Sequence, residues 1–257
     1  MNNLGKWEQC LLLKQNQNTA NYIPHTVPYS LGNLLDYLER YKTVYVKHNS
    51  SGQGRAIFKV FKNKEDQYCY SGFTIHGIPV NNCVSSLEDF HILLHPFTML
   101  GRTSGTYIIQ EGVESVTKWG QPISFRVHVQ FLDGEWLIGG IYGKVGTIET
   151  NENGIVNSYR GAQIKTVDEI LTLYLAMNEL EKSGFVKSLE EISLSTAEVI
   201  SSHFPRRDYG LDFGVKKDYL PVLFEVNTSP GIGGFAKIDN KQMWKRIISI
   251  RKMQNEG

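Results

Sequence analysis

The segment LFEVNTSPGIGG, Leu223 to Gly234, sets an acid and an amide inside an apolar run that stops at Ser-Pro-Gly. In a strand, residues i and i+2 stand on one face. Glu225 and Asn227 then present two oxygen-bearing side chains side by side. Asp212 lies in the preceding strand pattern, YGLDFGV, and pairing through the KKDYLP turn brings it to the same face. Two carboxylates and one amide oxygen make a hard-cation set. It suits Mg²⁺, which takes one or two carboxylates and leaves positions for phosphate oxygens. The competing reading is a pair of exposed polar residues on an edge strand. Acids set among Leu, Phe and Val are costly to bury without a partner, which favours the metal.

A second candidate is VYVKHNSSGQGRAIFKV. Lys47 ends a strand, and a loop carrying Ser51, Gly52 and Gly54 follows. Glycines let backbone N–H groups approach phosphates, and a lysine supplies a point charge. The spacing is not G-x-x-x-x-G-K-[ST], and a tight hairpin turn is the plainer reading. A third is YIIQEGVES. Here the strand through Gln110 and Glu111 would offer backbone groups to an adenine edge, with Val113 against the ring and Glu114 reaching a ribose. Its plainer reading is a core strand with a polar exit. Arg126 in ISFRVHVQ and Lys144 in IYGKVG are cations on strands. Such a cation can brace a phosphoryl group as its charge shifts, although most single arginines are surface residues.

The histidines carry less. His128 is expected to point to the opposite face from Arg126. His91 and His95 sit four apart on a helix, but no glutamate follows His91, so H-E-x-x-H is absent and a partly buried helix face is expected. No Ser-His-Asp or Cys-His arrangement can be picked out.

Composition sets the frame. Of the 257 residues, 41% are apolar and 21% charged, an ordinary globular balance. Formal net charge is +1 with no arginine-rich segment, so no nucleic-acid partner is expected. Cys10, Cys69 and Cys83 are widely spaced and odd in number. They suggest neither a disulfide framework nor a zinc knuckle, and a reducing cytoplasm fits best. The N-terminus lacks the apolar core of a signal peptide. No stretch approaches the ~18 apolar residues that span a membrane, so no membrane partner is expected.

These residues need elements to hold them. Residues 1–28 read as a short helix and an extended stretch, and Ser30 caps a helix through LGNLLDYLERY. TVYVKHN and AIFKVFK form a hairpin around SSGQGR, and QYCYSGFTIHG is a further β segment. SSLEDFHILLHPF opens with a Ser-x-x-Asp capping pattern and reads as a helix. GTYIIQEGV is a strand. ISFRVHVQFLDGEWLIGGIYGKVG is two strands turning at Asp133-Gly134. Residues 151–161 are a polar loop. TVDEILTLYLAMNELEKSG and LEEISLSTAEVISSHF are two helical patterns, and DNKQMWKRIISIRKM is a last helix. The order predicts an α+β chain whose two lobes meet near residues 112–120.

Taken in order, lysine, glycine loop, hinge strand, arginine strand and Asp…Glu-x-Asn resemble the ATP-grasp superfamily. Within it the chain resembles the YheC/YheD family of endospore coat-associated ATP-grasp proteins. The segments that carry this are GKWEQCLLL, IPHTVPYS, YIIQEGV, RVHVQ, GEW, GKVG, NSYRGA and DYGLDFGVKKDYLPVLFEVNTSPG. The resemblance implies an ATP-grasp fold, two α+β lobes with ATP in the cleft between them. It divides the chain into an N-terminal segment 1–27 with Lys6 as a first phosphate lysine, an N-lobe 28–115 and a C-lobe 116–257. It implies ATP and Mg²⁺ as cofactors, with Asp212, Glu225 and Asn227 as metal ligands. Ser124, Lys144 and Ala162 depart from the pattern, where an acid, an arginine and a glycine are expected.

The implied reaction is ligation through an acyl phosphate, joining a small-molecule or peptide carboxylate to a nucleophile with release of ADP and phosphate. A kinase that stops after phosphoryl transfer is an alternative. So is a non-catalytic nucleotide-binding component of a spore-coat-like assembly. Many relatives carry a preceding domain that helps hold the acceptor. The expectation here is that this domain is absent and that a partner protein replaces it. A cytoplasmic, spore-associated setting is likewise implied by the resemblance only.

Overall fold

The computed structural model describes residues 4–96, 105–147 and 153–256. Two antiparallel sheets organise them. The first holds β1 (Thr26–Pro28), β2 (Thr43–His48), β3 (Ile57–Lys62), β4 (Tyr68–Phe73), β5 (Pro79–Val84) and β6 (Tyr107–Glu111), in the order β1-β6-β2-β3-β4-β5. The alternation in β2 and β3 sends Val44, Val46, Phe58 and Val60 inward, where they are almost wholly buried. They meet Leu34 and Tyr37 of α2 (Leu31–Arg40) and Phe90 and Leu94 of α3 (Leu87–Leu94) in one core. Ser30 caps α2 as its sequence suggests, its Oγ accepting from the Asn33 N–H at 3.0 Å. Such a cap stabilises a helix by about 1 kcal/mol.

The second sheet holds β7 (Ile123–Leu132), β8 (Glu135–Val145), β9 (Gln163–Lys165), β10 (Asp208–Val215) and β11 (Pro221–Asn227), ordered β11-β10-β7-β8-β9. One face buries Phe125, Val127, Leu211 and Phe213 against Phe185, Leu189 and Ile192 of α5 (Glu179–His203). The other meets Phe235 and Ile247, the latter on α6 (Gln242–Glu256).

Several local expectations change. The helical pattern from Thr166 is interrupted at Ala176, where the backbone has φ 55°. It comprises a three-residue turn, α4 (Val167–Glu169), then a wider π-type turn, Ile170–Tyr174. The second helix starts at Glu179, because Asn178 and Glu181 form a reciprocal capping box there. It then runs unbroken through Gly184. β5 carries no alternating apolar signal, since its side chains face largely outward, and it escapes sequence reading. Cys69 and Cys83 lie directly opposite across β4 and β5 and form a disulfide, leaving Cys10 as the free, buried thiol. A spacing of 14 residues hides this pair, which only the hairpin register brings together. The start of the polar loop expected over 151–161 and the end of the helix expected to reach residue 97 lie outside the described residues.

The N-terminal segment does not stand apart. The helix α1 (Lys6–Gln15) buries Cys10 and Leu13 in the core of the second sheet. Its first turn is held by the hairpin loop of the first sheet: Asn49 accepts from the backbone N–H of Lys6 through its carbonyl and of Trp7 through Oδ1. Its side-chain amide also donates to Glu8. The helix therefore bridges the two sheets. Among the described residues no helix is long and apolar enough to cross a membrane.

Candidate nucleotide and metal site

The expected metal trio comes together on one edge. Asp212 and Glu225 are direct cross-strand partners of β10 and β11, and Asn227 follows two residues on in β11, opposite Gly210. The next pair inward is Asp212 with Arg126 on β7, then Arg126 with Tyr142 on β8. A row of polar side chains thus crosses the sheet. Arg126 donates from Nε to Asp212 Oδ1 at 2.9 Å and from Nη2 to Oδ2 at 2.6 Å, and Lys144 Nζ reaches Oδ1 at 3.2 Å. Burial alone would raise the Asp212 carboxyl, but Arg126 and Lys144 outweigh it and hold it at about 2. Burial lowers the Lys144 ammonium, with Asp212 opposing. Burial also raises the Tyr142 hydroxyl to about 12.

Lys6 starts α1 and points at the same edge. Its Nζ lies 3.0 Å from Glu225 Oε1 and donates to the Ser51 carbonyl at 2.6 Å. Lys47 stands nearby. Its Nζ donates to the Gln110 side-chain oxygen at 2.5 Å and sits 5.5 Å from the centre of the Phe224 ring. Burial pushes this ammonium down to about 8, with Glu225 opposing and Lys6 adding to the fall. These residues form one coupled group of four cations, Lys6, Lys47, Arg126 and Lys144, around two carboxylates, Asp212 and Glu225.

The loop between β2 and β3 is held over this group. Gln53, Gly54 and Ala56 all have positive φ. At Gly54 an added Cβ would lie 2.9 Å from the Asn157 amide, so glycine is needed on both counts. Asn157, in the NSYRGA segment, donates to the Gln53 carbonyl at 2.7 Å. Ser51 Oγ donates to the Arg55 carbonyl. Gly52 has open space where a Cβ would stand.

The hinge strand is paired on both sides over most of its length. β6 is paired with β1 on one side and β2 on the other, and Glu111 N–H donates to the His25 carbonyl. Register with β1 ends at Gln110 opposite Thr26, and the strand gives way to the exit at Gly112, whose N–H donates to the Thr43 carbonyl. Val113 lies in that exit. Its carbonyl accepts from Ser115 N–H, and Glu114 pairs with Lys217 at 3.0 Å, which lowers its carboxyl. The Gln110 side chain, almost fully buried, links Lys47 to the Thr26 hydroxyl.

A small cavity lies beside this link, lined among others by Lys6, Cys10, Ile108, Gln110, Phe224 and Glu225. Cys10, Ile108 and Phe224 escape the sequence reading, because a lone apolar residue on a helix or strand reads as core.

His128 corrects an expectation. It stands two residues from Arg126 in the same strand and shares its face, as the period of two requires. It is fully buried against Phe235, and its Nε2 lies 3.5 Å from Asp208. Burial, with Arg251 and Arg126 adding to it, lowers the ring to about 3, so it is neutral at ordinary pH. Asp208 is itself gripped by Arg251 of α6, Nε at 3.1 Å and Nη2 at 2.5 Å. At Gly210, between the two arginine clusters, a Cβ would meet Arg126 and Pro230 at 2.8 Å. Ser124, opposite Lys144, is buried with no hydrogen-bond partner for its hydroxyl among the described residues. His91 and His95 do pack as a helix face, 5.1 Å apart and against Tyr29.

The donor set fits a divalent cation. Asp212 is held in its ionised, accepting form, Glu225 is its neighbour, and the Asn227 side-chain oxygen faces the same edge, accepting from Ser229 N–H at 3.0 Å. All three supply oxygen, the donor that Mg²⁺ requires.

Comparisons with known proteins agree with this architecture. The chain is similar to the endospore coat-associated protein YheD of Bacillus subtilis (strain 168), 25% identical over 235 residues, which is 88% of this chain and 48% of that protein. The chain thus spans about half the length of that curated relative. Among solved structures it is similar to the D-cycloserine synthetase DcsG, with TM-score 0.56 and 12% identity over 97% of this chain and 69% of that one. It is also similar to the D-alanine-D-alanine ligase of Coxiella burnetii, with TM-score 0.52 and 14% identity over 98% of this chain and 58% of that one. At these identities the likeness is one of fold. The model of the YheC/D like ATP-grasp family matches residues 2–251, and the chain belongs to that family.

Proposed function

We propose that this chain is an ATP-dependent ligase that joins a carboxylate to an amine or other nucleophile through an acyl phosphate. The observation that carries the reading is the charge imbalance at the cleft: four cations coupled to two carboxylates, an excess that a polyphosphate would neutralise. Residues 28–115 and 116–257 act as the two lobes of the nucleotide clamp, with 1–27 bringing Lys6 to it. Lys6 and Lys47 hold phosphate oxygens, and the loop of Ser51, Gly52 and Gly54 covers them. A base would lie against Phe224 and Ile108 by opening the small cavity there, with Gln110 and Glu111 behind it and Val113 and Glu114 at its exit. Asp212, Glu225 and Asn227 hold Mg²⁺, which when bound neutralises charge on the phosphates.

Arg126 is the residue placed to brace the transferring group, with Lys144 beside it. In the first step a substrate carboxylate oxygen bonds to the terminal phosphorus and ADP leaves. In the second a nucleophile attacks the acyl carbon, loses its proton, and phosphate leaves. The substrates are a small-molecule or peptide carboxylate and its nucleophile. An endospore setting follows the name of the YheD relative and belongs to the same proposal.

The test is ADP release from ATP and Mg²⁺ with pooled amino acids and peptides, wild type against Glu225→Ala. Release that needs a substrate and is lost in the variant supports the ligase, and the mass of a joined product completes the case. ATP binding without release, or a phosphorylated product with nothing joined to it, overturns it.

A further inference from the structure

The edge strand that carries two of the three metal-ligand candidates is not left open. Gln9, on α1, lays its side-chain amide along β11 as a substitute strand. Its Nε2 donates to the Val226 carbonyl at 2.9 Å, and its Oε1 accepts from the Val226 N–H at 2.9 Å. The same Nε2 also donates to the Leu4 carbonyl at 3.1 Å. Gln9 is 6% exposed, so these bonds form away from competing water. Val226 is the residue between Glu225 and Asn227. A clamp on both its backbone groups fixes the pitch of the strand at the point where the two ligand side chains leave it.

The clamp is rigidly mounted. One turn before Gln9, Lys6 pairs with Glu225, and the start of the helix is bonded to Asn49 beside the glycine loop. A sheet edge with free N–H and C=O groups bends and frays more readily than a paired one. Ligands on a frayed edge would hold a cation less well.

We propose that Gln9 is a positioning residue for the divalent-metal site, setting the geometry of Glu225 and Asn227 through the backbone of Val226. The proposal rests on the assignment of Asp212, Glu225 and Asn227 as metal ligands. Through Asn49 it also makes α1 the element that ties the metal edge to the loop over the phosphates.

The experiment measures Mn²⁺ affinity by electron paramagnetic resonance with ADP present, alongside thermal unfolding. It compares wild type, Gln9→Met, Gln9→Glu, Gln9→Asn, Glu225→Ala and Leu189→Ala. Gln9→Met keeps the length and loses both bonds; its Mn²⁺ affinity should fall on the order of tenfold, the usual scale for residues that orient metal ligands. Gln9→Glu keeps the acceptor but turns a carboxylate oxygen on the Val226 and Leu4 carbonyls, so its affinity should fall at least as far, and Gln9→Asn, too short to reach both backbone groups of Val226, serves if neither folds. Leu189→Ala removes core packing without touching either Gln9–Val226 hydrogen bond, so its melting temperature should drop while Mn²⁺ affinity holds within about twofold. Gln9 variants that bind Mn²⁺ like wild type, while Glu225→Ala does not, would overturn the positioning role and leave the metal site standing. Equal losses in the Gln9 variants and Leu189→Ala would overturn it as a plain stability effect. If Glu225→Ala binds Mn²⁺ as wild type does, the ligand assignment fails and the proposal fails with it.

Discussion

Arg126 and Asp212 face each other across β7 and β10 and close a two-pronged ion pair at 2.9 and 2.6 Å. A second cation, Lys144, leans on the same carboxylate. The pair sits one strand from Glu225, so the central acid of the candidate metal site is also the counter-ion of the candidate phosphoryl-bracing arginine. Whatever binds here must share Asp212 with Arg126.

Removing that acid leaves two cations without their partner. Asp212→Ala should destabilise the protein by about 3–5 kcal/mol, the usual cost of breaking a largely buried pair from one side. The double replacement Arg126→Met with Asp212→Ala should cost clearly less than the sum of Asp212→Ala and Arg126→Met, because it removes a charge that each single change strands. Urea unfolding of the three variants checks this. Additive losses would mean that the pair contributes nothing of its own.

The same carboxylate sets an acid limit. Its folded value, about 2, lies below the ordinary 3.8, so its contribution is present above about pH 4. That contribution is lost as the pH falls from there toward 2. Melting temperatures of wild type and Asp212→Asn should therefore differ at pH 6 and converge near pH 2. A difference that stays constant over that range would contradict the assignment.

Lys47 has the opposite linkage. Burial lowers its folded value to about 8, so the unfolded chain binds the extra proton more readily between pH 8 and 10.5. Holding the charge in the folded state is a cost below pH 8, and the cost is relieved as the pH rises through that window. Lys47→Met should raise the melting temperature at pH 7 by more than at pH 10. ATP affinity of wild type should fall as the pH passes 8, because the ammonium that meets the phosphates is lost. In Lys47→Met the affinity should be weak throughout and lack that step. Titration calorimetry across pH 6.5–9.5 would show either outcome.

The β4–β5 hairpin offers a chemical count. Alkylation in denaturant without reductant should label one thiol, Cys10, and with reductant all three. Cys83→Ser should lower stability by about 3 kcal/mol, the scale for a disulfide that closes a loop of some 15 residues. Three labelled thiols without reductant would show the pair to be open.

What the sequence determined by itself is what local patterns encode. The period of two placed Glu225 and Asn227 on one face, and the Asp-Gly turn and the KKDYLP turn set β7 against β8 and β10 against β11. Order along the chain carried the family resemblance, because the spacing of lysine, glycine loop and Asp…Glu-x-Asn survives without coordinates. What distant segments do to each other lies outside any local pattern and is fixed by packing. Gln9 and Val226 are 217 residues apart, and no periodicity marks a glutamine on a helix as the mate of an edge strand. Lys47 and Gln110, Asn157 and Gln53, and Cys69 and Cys83 are of the same kind. Each is a polar or reactive group whose partner is chosen by sheet order and register, and these depend on how whole faces bury apolar surface.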